Sequence, residues 1–109
     1  MTTSRLELLS SLDDQELRIA IAREVMRLTN VRADKYGNIR GNEPALLTTV
    51  PIVIPNWLES DFHIRNLERI LKLYGHFASY QREVAGAFGE NPSRRQRCEA
   101  ALLAVRNDG

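Results

Sequence analysis

The closing stretch of the chain, residues 91–105, constrains the fold most, because it contains a helix start signal followed by an apolar stripe. Asn91 can accept a hydrogen bond from a backbone N–H of the first turn, and Pro92 fits the first helical position, where no N–H is needed. The apolar residues recur three and four positions apart: Cys98, Ala101, Leu102 and Val105. This spacing predicts a helix with one buried face, so the preceding residues must supply the surface that covers it.

An earlier amphipathic helix is predicted over residues 13–29. Its apolar stripe repeats every three or four residues: Leu17, Ala20, Ile21, Val25 and Leu28. Asp13 can cap its start, as can the looser pattern of Ser11 and Asp14, and Asn30 is placed to end it.

Two short strands are expected after this helix. Residues 31–33 and 39–40 flank Gly37 and Asn38, which favour the positive φ angles of a tight turn. Residues 41–44 are rich in turn formers and predict a second break in the chain.

Residues 46–54 are the best strand candidate, because they contain six β-branched side chains in nine positions. Pro51 lies in the middle and has no N–H to donate to a sheet. The segment must therefore be an edge strand, a bulged strand or simply an extended chain.

A middle helix is predicted to begin at Ser60 or Asp61 and to stop at Gly75. Glu68 and Lys72 are four residues apart and are expected to pair on its outer face. Its buried stripe consists of Ile64, Leu67, Ile70, Leu71 and Tyr74. Residues 76–90 are ambiguous between helix and strand, and their spacing slightly favours a helical or partly helical structure.

These elements predict an α+β fold: a small α-β-α layered domain with three main helices and a short sheet between the first and the second. Its 109 residues fit a single domain over residues 13–109. Residues 1–12 fit either an N-terminal tail or a short helix.

Composition excludes several classes of protein. Fifteen Lys and Arg against 14 Asp and Glu give a net charge of +1, which argues against a protein that coats DNA. One cysteine cannot form an intramolecular disulfide and fits a reducing compartment. No apolar run approaches the roughly 20 residues of a membrane span, so no membrane partner is expected. The expected location is the cytoplasm.

Three stretches, in this order, resemble the phage ABA-sandwich domain family, whose members are small uncharacterised proteins of phages and prophages. Residues 17–26 are similar to its opening helix with an Ala-x-x-Val-Met ending. Residues 55–61 look like the Pro-x-Tyr-Ser-x-Asp entry to its middle helix, with Trp57 where a tyrosine is usual. Residues 97–105 are close to its closing helix.

The resemblance implies an α-β-α layering and a phage or prophage origin, in the cytoplasm of a host cell. It brings no catalytic residues. The chain departs from the family at Arg27 and Leu28, where Gly-Trp is usual, and residues 76–90 do not show the strands expected there. The function that we expect from this resemblance is that of a non-enzymatic accessory protein that binds a host or phage protein, for example to inhibit a host defence complex.

The sequence contains no catalytic motif, and no cofactor or metal is expected. A zinc site would have to use His63, His76 and Cys98, which lack the spacing of ligand pairs. Cys98 lies on the apolar stripe, where a buried structural thiol is far commoner than a ligand or a nucleophile. We therefore expect that the protein is not an enzyme.

The candidate binding residues are the densest basic cluster, a fourth arginine and two aromatic residues: Arg94, Arg95, Arg97, Arg82, Trp57 and Tyr36. The first three stand at a helix start, where the dipole disfavours cations. They are either a solvated surface or a site for an anionic partner. An alternative function is therefore a small nucleic-acid-binding regulator that uses the same arginines. The sequence is also compatible with a homodimer.

Overall fold

A computed structural model describes residues 9–44 and 49–108. In chain order the elements are helix α1 (Asp14–Glu24), strands β1 (Thr29–Ala33), β2 (Ile39–Pro44) and β3 (Thr49–Val53), helix α2 (Asp61–Leu73), helix α3 (Phe77–Glu83), a π-helical segment (Val84–Phe88) and helix α4 (Arg94–Asp108). The predicted α+β class, with a short sheet between the first and second helices, is confirmed. No helix within this part of the chain has the length and apolar character needed to cross a membrane.

Helix α1 starts as predicted and ends earlier than predicted. Asp13 accepts a hydrogen bond from the N–H of Glu16, and the Glu16 carboxylate accepts one from the N–H of Asp13. Arg27 adopts a positive φ of 59°, and the N–H of Leu28 donates to the carbonyl of Ala22. A left-handed residue just past the last turn ends the helix here, so the predicted helix over 13–29 was too long.

The three strands form an antiparallel sheet in the order β1-β2-β3. Pro51 lies in β3, which among the described strands pairs with β2 alone. The N–H of Ile54 donates to Ile39 of β2, so by alternation the nitrogen of Pro51 faces away from β2 and its missing N–H costs no ladder bond. Residues 46–48, the first part of the predicted strand, lie outside the described residues. The inward-facing Val31, Ile39 and Ile54 are buried, and β1 and β2 pack against α1.

Gly41 was predicted to belong to a break in the chain, and this prediction is wrong. It lies inside β2, at the point where the end of α1 packs onto the sheet. A Cβ atom at Gly41 would come within 3.0 Å of the Leu28 side chain and 3.3 Å of Val31. A larger residue would therefore press on Leu28 and Val31, and the glycine lets both pack closely on β2.

Helix α2 has the predicted start and stop. The Ser60 hydroxyl accepts from the N–H of His63, and Gly75 follows the helix with a positive φ of 81°. The predicted pair of Glu68 with Lys72 is wrong. Glu68 instead contacts two groups from other helices, described below, and the Lys72 ammonium lies 4.5 Å from the centre of the Phe77 ring.

Residues 76–90 are mostly helical, in agreement with the favoured prediction. Helix α3 continues directly into the π-helical segment, which ends at Gly89 with a positive φ of 74°.

Helix α4 is the centre of the molecule and is covered on more sides than predicted. All seven residues from Cys98 to Ala104 are buried, including Glu99, so the single predicted stripe underestimates its burial. Helices α1, α2 and α3 all pack against it. Because α1 contacts the sheet on one side and α4 on the other, it joins the sheet to the helical part of the domain.

The first turn of α4 is capped by Ser93 rather than by Asn91. The Ser93 hydroxyl accepts from the N–H of Gln96 at 3.1 Å, and the Gln96 side-chain oxygen accepts from the N–H of Ser93 at 2.8 Å. This reciprocal capping box places the helix start two residues after the predicted position.

The domain boundary at residue 12 stays a prediction. Residues 1–8 lie outside the described part of the chain, and residues 9–10 are helical. Leu9 is buried in the core, and Leu12 packs against it.

Replacing the cap should distinguish Ser93 from Asn91. Ser93→Ala removes an acceptor for a first-turn N–H and should lower the free energy of unfolding by about 1 kcal/mol, measured by urea denaturation. Asn91→Ala, in contrast, should change it by less than about 0.5 kcal/mol, since Asn91 is exposed. A larger loss for Asn91→Ala would contradict the assignment.

The hairpin turn between β1 and β2 should respond to pH through Asp34. Hydrogen bonds from Arg40, and from the backbone N–H groups of Tyr36 and Asn38, lower the pKa of this carboxyl below its usual 3.8. A lowered pKa in the folded state contributes stability above the ordinary pKa, and that contribution disappears as pH falls through the lowered value. Asp34→Asn should thus be less stable than wild type at pH 7, and the difference should shrink below about pH 4.

An NMR titration of the Asp34 carboxyl provides the direct measurement. The pKa should lie below 3.8 and should rise in Arg40→Gln, because the first of these hydrogen bonds is then lost. A pKa of 3.8 or higher for Asp34 in the wild-type protein would contradict this explanation.

Candidate functional site: an arginine-lined cleft

The beginnings of α2 and α4 enclose a cleft of about 760 Å³, which we call the arginine cleft. Four arginines and three carboxylates line it together with smaller and apolar residues: Arg65, Arg94, Arg95, Arg97, Asp14, Asp61, Glu68, Leu58, Ile64, Pro92 and Ser93. The capping box of α4 fixes the loop before Arg94, and the Ser60 cap fixes the loop before Asp61. Hydrogen bonds between a serine hydroxyl and a backbone N–H thus fix the chain at both walls of the cleft.

Arg95 is part of the fold. Its guanidinium donates to the buried Glu99 at 3.0 Å, to Asp14, and to the backbone carbonyls of Leu9 and Leu12. These bonds fasten the start of the described chain to α4. Since its donors are occupied by four protein groups, Arg95 has little capacity left for a ligand.

Arg94 and Arg65 are held much more loosely. Arg94 lies 3.9 Å from Asp61, whose side chain is 82% exposed. An exposed pair at this distance contributes little and can be exchanged for another anion. Arg65 is exposed and forms no ion pair with any residue of the described ranges. Arg97 is intermediate, 3.5 Å from Glu68.

The carboxylates of the cleft partly offset the concentration of positive charge at the start of α4. The first turn of this helix contains no acidic residue, so its arginines add to the positive end of the helix dipole. Asp14 comes from α1, and Asp61 and Glu68 come from α2. Four arginines against three carboxylates leave one positive charge in excess, and Arg65 and Arg94 are the most weakly paired of the four.

The other predicted binding residues lie elsewhere. Trp57 is fully buried, so core packing accounts for it, and a buried side chain cannot contact a partner at the surface. Tyr36 is 77% exposed in the β1–β2 turn, with Lys35 over its ring. Arg82 donates to the Ser79 hydroxyl and does not line the cleft.

Arg65 was missed by the sequence analysis. It lies beside the apolar stripe of α2, and the residues that it joins in the cleft come almost 30 positions later in the chain. No local sequence pattern distinguishes Arg65 as a residue of the cleft.

The polar residues considered for metal binding or catalysis do not converge. Burial raises the pKa of the Cys98 thiol to about 12, so it stays protonated at neutral pH. The His76 ring nitrogen lies 2.8 Å from Asp108, whose other carboxylate oxygen accepts from Ser79. Across the described ranges, no three His, Cys, Asp or Glu side chains form a group that could hold a metal ion.

Comparison of the chain with protein-family models, with curated proteins and with solved structures finds no match. The site is therefore interpreted from its own geometry.

Two adjacent arginines should behave differently when each is removed. Arg95→Ala leaves the buried Glu99 without its partner and should lower the free energy of unfolding by about 3 kcal/mol. Arg94→Ala removes only an exposed pair and should stay within about 0.5 kcal/mol of wild type. Urea denaturation of both variants tests the assignment, and equal losses would contradict it.

Proposed function

We propose that this protein is a non-enzymatic binding protein that holds an acidic segment of another protein in the arginine cleft. The observation that carries the proposal is the presence of two accessible guanidiniums, Arg65 and Arg94, on opposite walls of one cleft. Guanidiniums form bidentate hydrogen bonds with carboxylates, so two of them can bind and orient an acidic side chain.

Arg95 and Arg97 support this role in different ways. Arg95 fixes the helix start, and Arg97 adds a third guanidinium whose present contact with Glu68 is long. An incoming carboxylate can exchange with the exposed Asp61 at Arg94 without leaving a buried charge unpaired.

The resemblance to the phage ABA-sandwich domain family supports a phage or prophage origin. On this proposal the protein is an accessory protein in the cytoplasm of the host cell. Its partner is a host or phage protein, and a component of a host defence complex is the class of partner that we propose. The chemistry of the cleft supports binding over catalysis, since its charged residues are guanidiniums and carboxylates that pair with each other, apart from Arg65.

The alternative is a nucleic-acid-binding regulator that uses the same arginines. Arg65 and Arg94 could equally contact phosphate groups. The single excess positive charge of the cleft favours the protein partner, because it matches one carboxylate better than a continuous phosphate backbone. The two functions differ in their salt dependence, as phosphate binding weakens steeply with added salt.

The proposal is tested by purification of the tagged protein from a nuclease-treated lysate of its host. Wild type should retain a protein partner, and Arg65→Ala/Arg94→Ala should recover at least about tenfold less of it. The control, Arg23→Ala/Lys35→Ala, removes the same charge from exposed positions outside the cleft and should match wild type. Equal recovery by the two double variants would contradict the proposal.

A second measurement separates the alternative. Binding of a 20-base-pair DNA duplex should be weak for wild type at 150 mM salt. Tight DNA binding that falls steeply between 50 and 200 mM salt, and that the cleft variant abolishes, would establish the nucleic-acid function instead.

A further inference from the structure

A second cleft, of about 490 Å³, lies directly beside the arginine cleft. Four of its lining residues come from α3 and the π-helical segment and are apolar or aromatic: Phe77, Tyr80, Val84 and Ala85. We call it the apolar cleft. Its rim carries Gln81, Gly89 and Glu90, and it shares Glu68 and Arg97 with the arginine cleft.

The π-helical segment and the glycine that follows it border the apolar cleft. A π-helical turn contains more residues than an α-helical turn and displaces the chain outward, and such turns recur at functional sites. Gly89 ends the segment with a positive φ, and no atom lies within 4 Å of the position its Cβ would occupy. The Phe77 and Tyr80 rings lie 5.7 Å apart, tilted by 31°. Tyr80 is buried, so Phe77 is the ring that is partly exposed beside the cleft.

One pair of side chains forms the wall between the two clefts. The Tyr80 hydroxyl donates to Glu68 at 2.9 Å, and Arg97 lies 3.5 Å from the same oxygen. Glu68 and Arg97 each line both clefts, so the two clefts meet at this pair of side chains.

We infer that a single extended segment of the partner protein occupies both clefts, with an acidic side chain in the arginine cleft and an apolar side chain in the apolar cleft. This inference rests on the proposed function and adds the second half of the recognition. The charges set the order. Glu68 and Glu90 outnumber Arg97 at the apolar cleft, which disfavours a carboxylate there, whereas the arginine cleft has one positive charge in excess. One segment that makes both contacts loses its translational and rotational freedom only once, which favours it over two separate ligands.

The probe for this inference is a library of random 12-residue peptides displayed on a carrier and selected on the wild-type protein. Enriched peptides should combine an Asp or Glu with a large apolar residue. The most enriched peptide is then synthesised, and its Kd is measured for wild type and for each variant.

The decisive variant is Ala85→Arg, which fills the apolar cleft from an exposed position and should weaken peptide binding by at least tenfold. Ala78→Arg is the matched control, since Ala78 is exposed on α3 and does not line the cleft, and it should bind within twofold of wild type. Gln81→Trp fills the same cleft and replaces Ala85→Arg if thermal unfolding shows that Ala85→Arg does not fold.

The results separate the inference from the proposed function. If the variants that fill the apolar cleft bind as wild type while Arg65→Ala/Arg94→Ala loses binding, the inference is wrong and the proposed function stands. If Arg65→Ala/Arg94→Ala also binds as wild type, both are wrong. Failure to enrich any peptide, or enrichment of peptides without an apolar residue, overturns the inference.

Discussion

The rest of the structure depends on the burial of α4 on almost all sides. Its buried residues include Ala100, Ala101 and Ala104, which are small enough to let neighbouring helices approach closely. Helix α1 uses this contact to carry the sheet, and α2 and α3 pack against other sides of α4. A central helix has few directions in which it can reach solvent. Its first turn is one of them, so the arginines of that turn emerge between α1 and α2.

This position explains why the three arginines at the start of α4 have three different environments. Arg95 turns toward α1 and binds the buried Glu99, Asp14 and two backbone carbonyls. Arg97 turns toward Glu68 of α2, and Arg94 reaches the exposed Asp61. The helix therefore uses one arginine to hold the fold and presents the other two in the cleft.

Local signals in the sequence predicted the parts of the fold that local physics decides. The caps at Asp13 and Ser60, each one of two candidates, and the stop at Gly75 depend on neighbours within a few residues, and the structure has them. The edge position of Pro51 was one of three alternatives, and strand pairing decides it. The capping box of Ser93 with Gln96 was also visible in the sequence, but the stronger-looking Asn91 and Pro92 drew the prediction two residues upstream.

The wrong predictions concern features that are determined by contacts between residues distant in the sequence. Glu68 has Lys72 one turn away, yet it contacts Tyr80 and Arg97, which no helical periodicity can reveal. Gly41 looked like a turn former, and only the packing of Leu28 explains its place in a strand. The arginine cluster was found from composition, whereas its convergence with Arg65 depends on how α2 packs beside α4.

Native-state hydrogen exchange tests most directly whether α4 is the central element. Amides buried on all sides exchange only when the whole domain unfolds. The amides of residues 98–104 should therefore be the slowest in the protein, with an opening free energy equal to that of global unfolding measured by urea. Exchange of these amides by local opening, at a free energy well below the global value, would contradict the account.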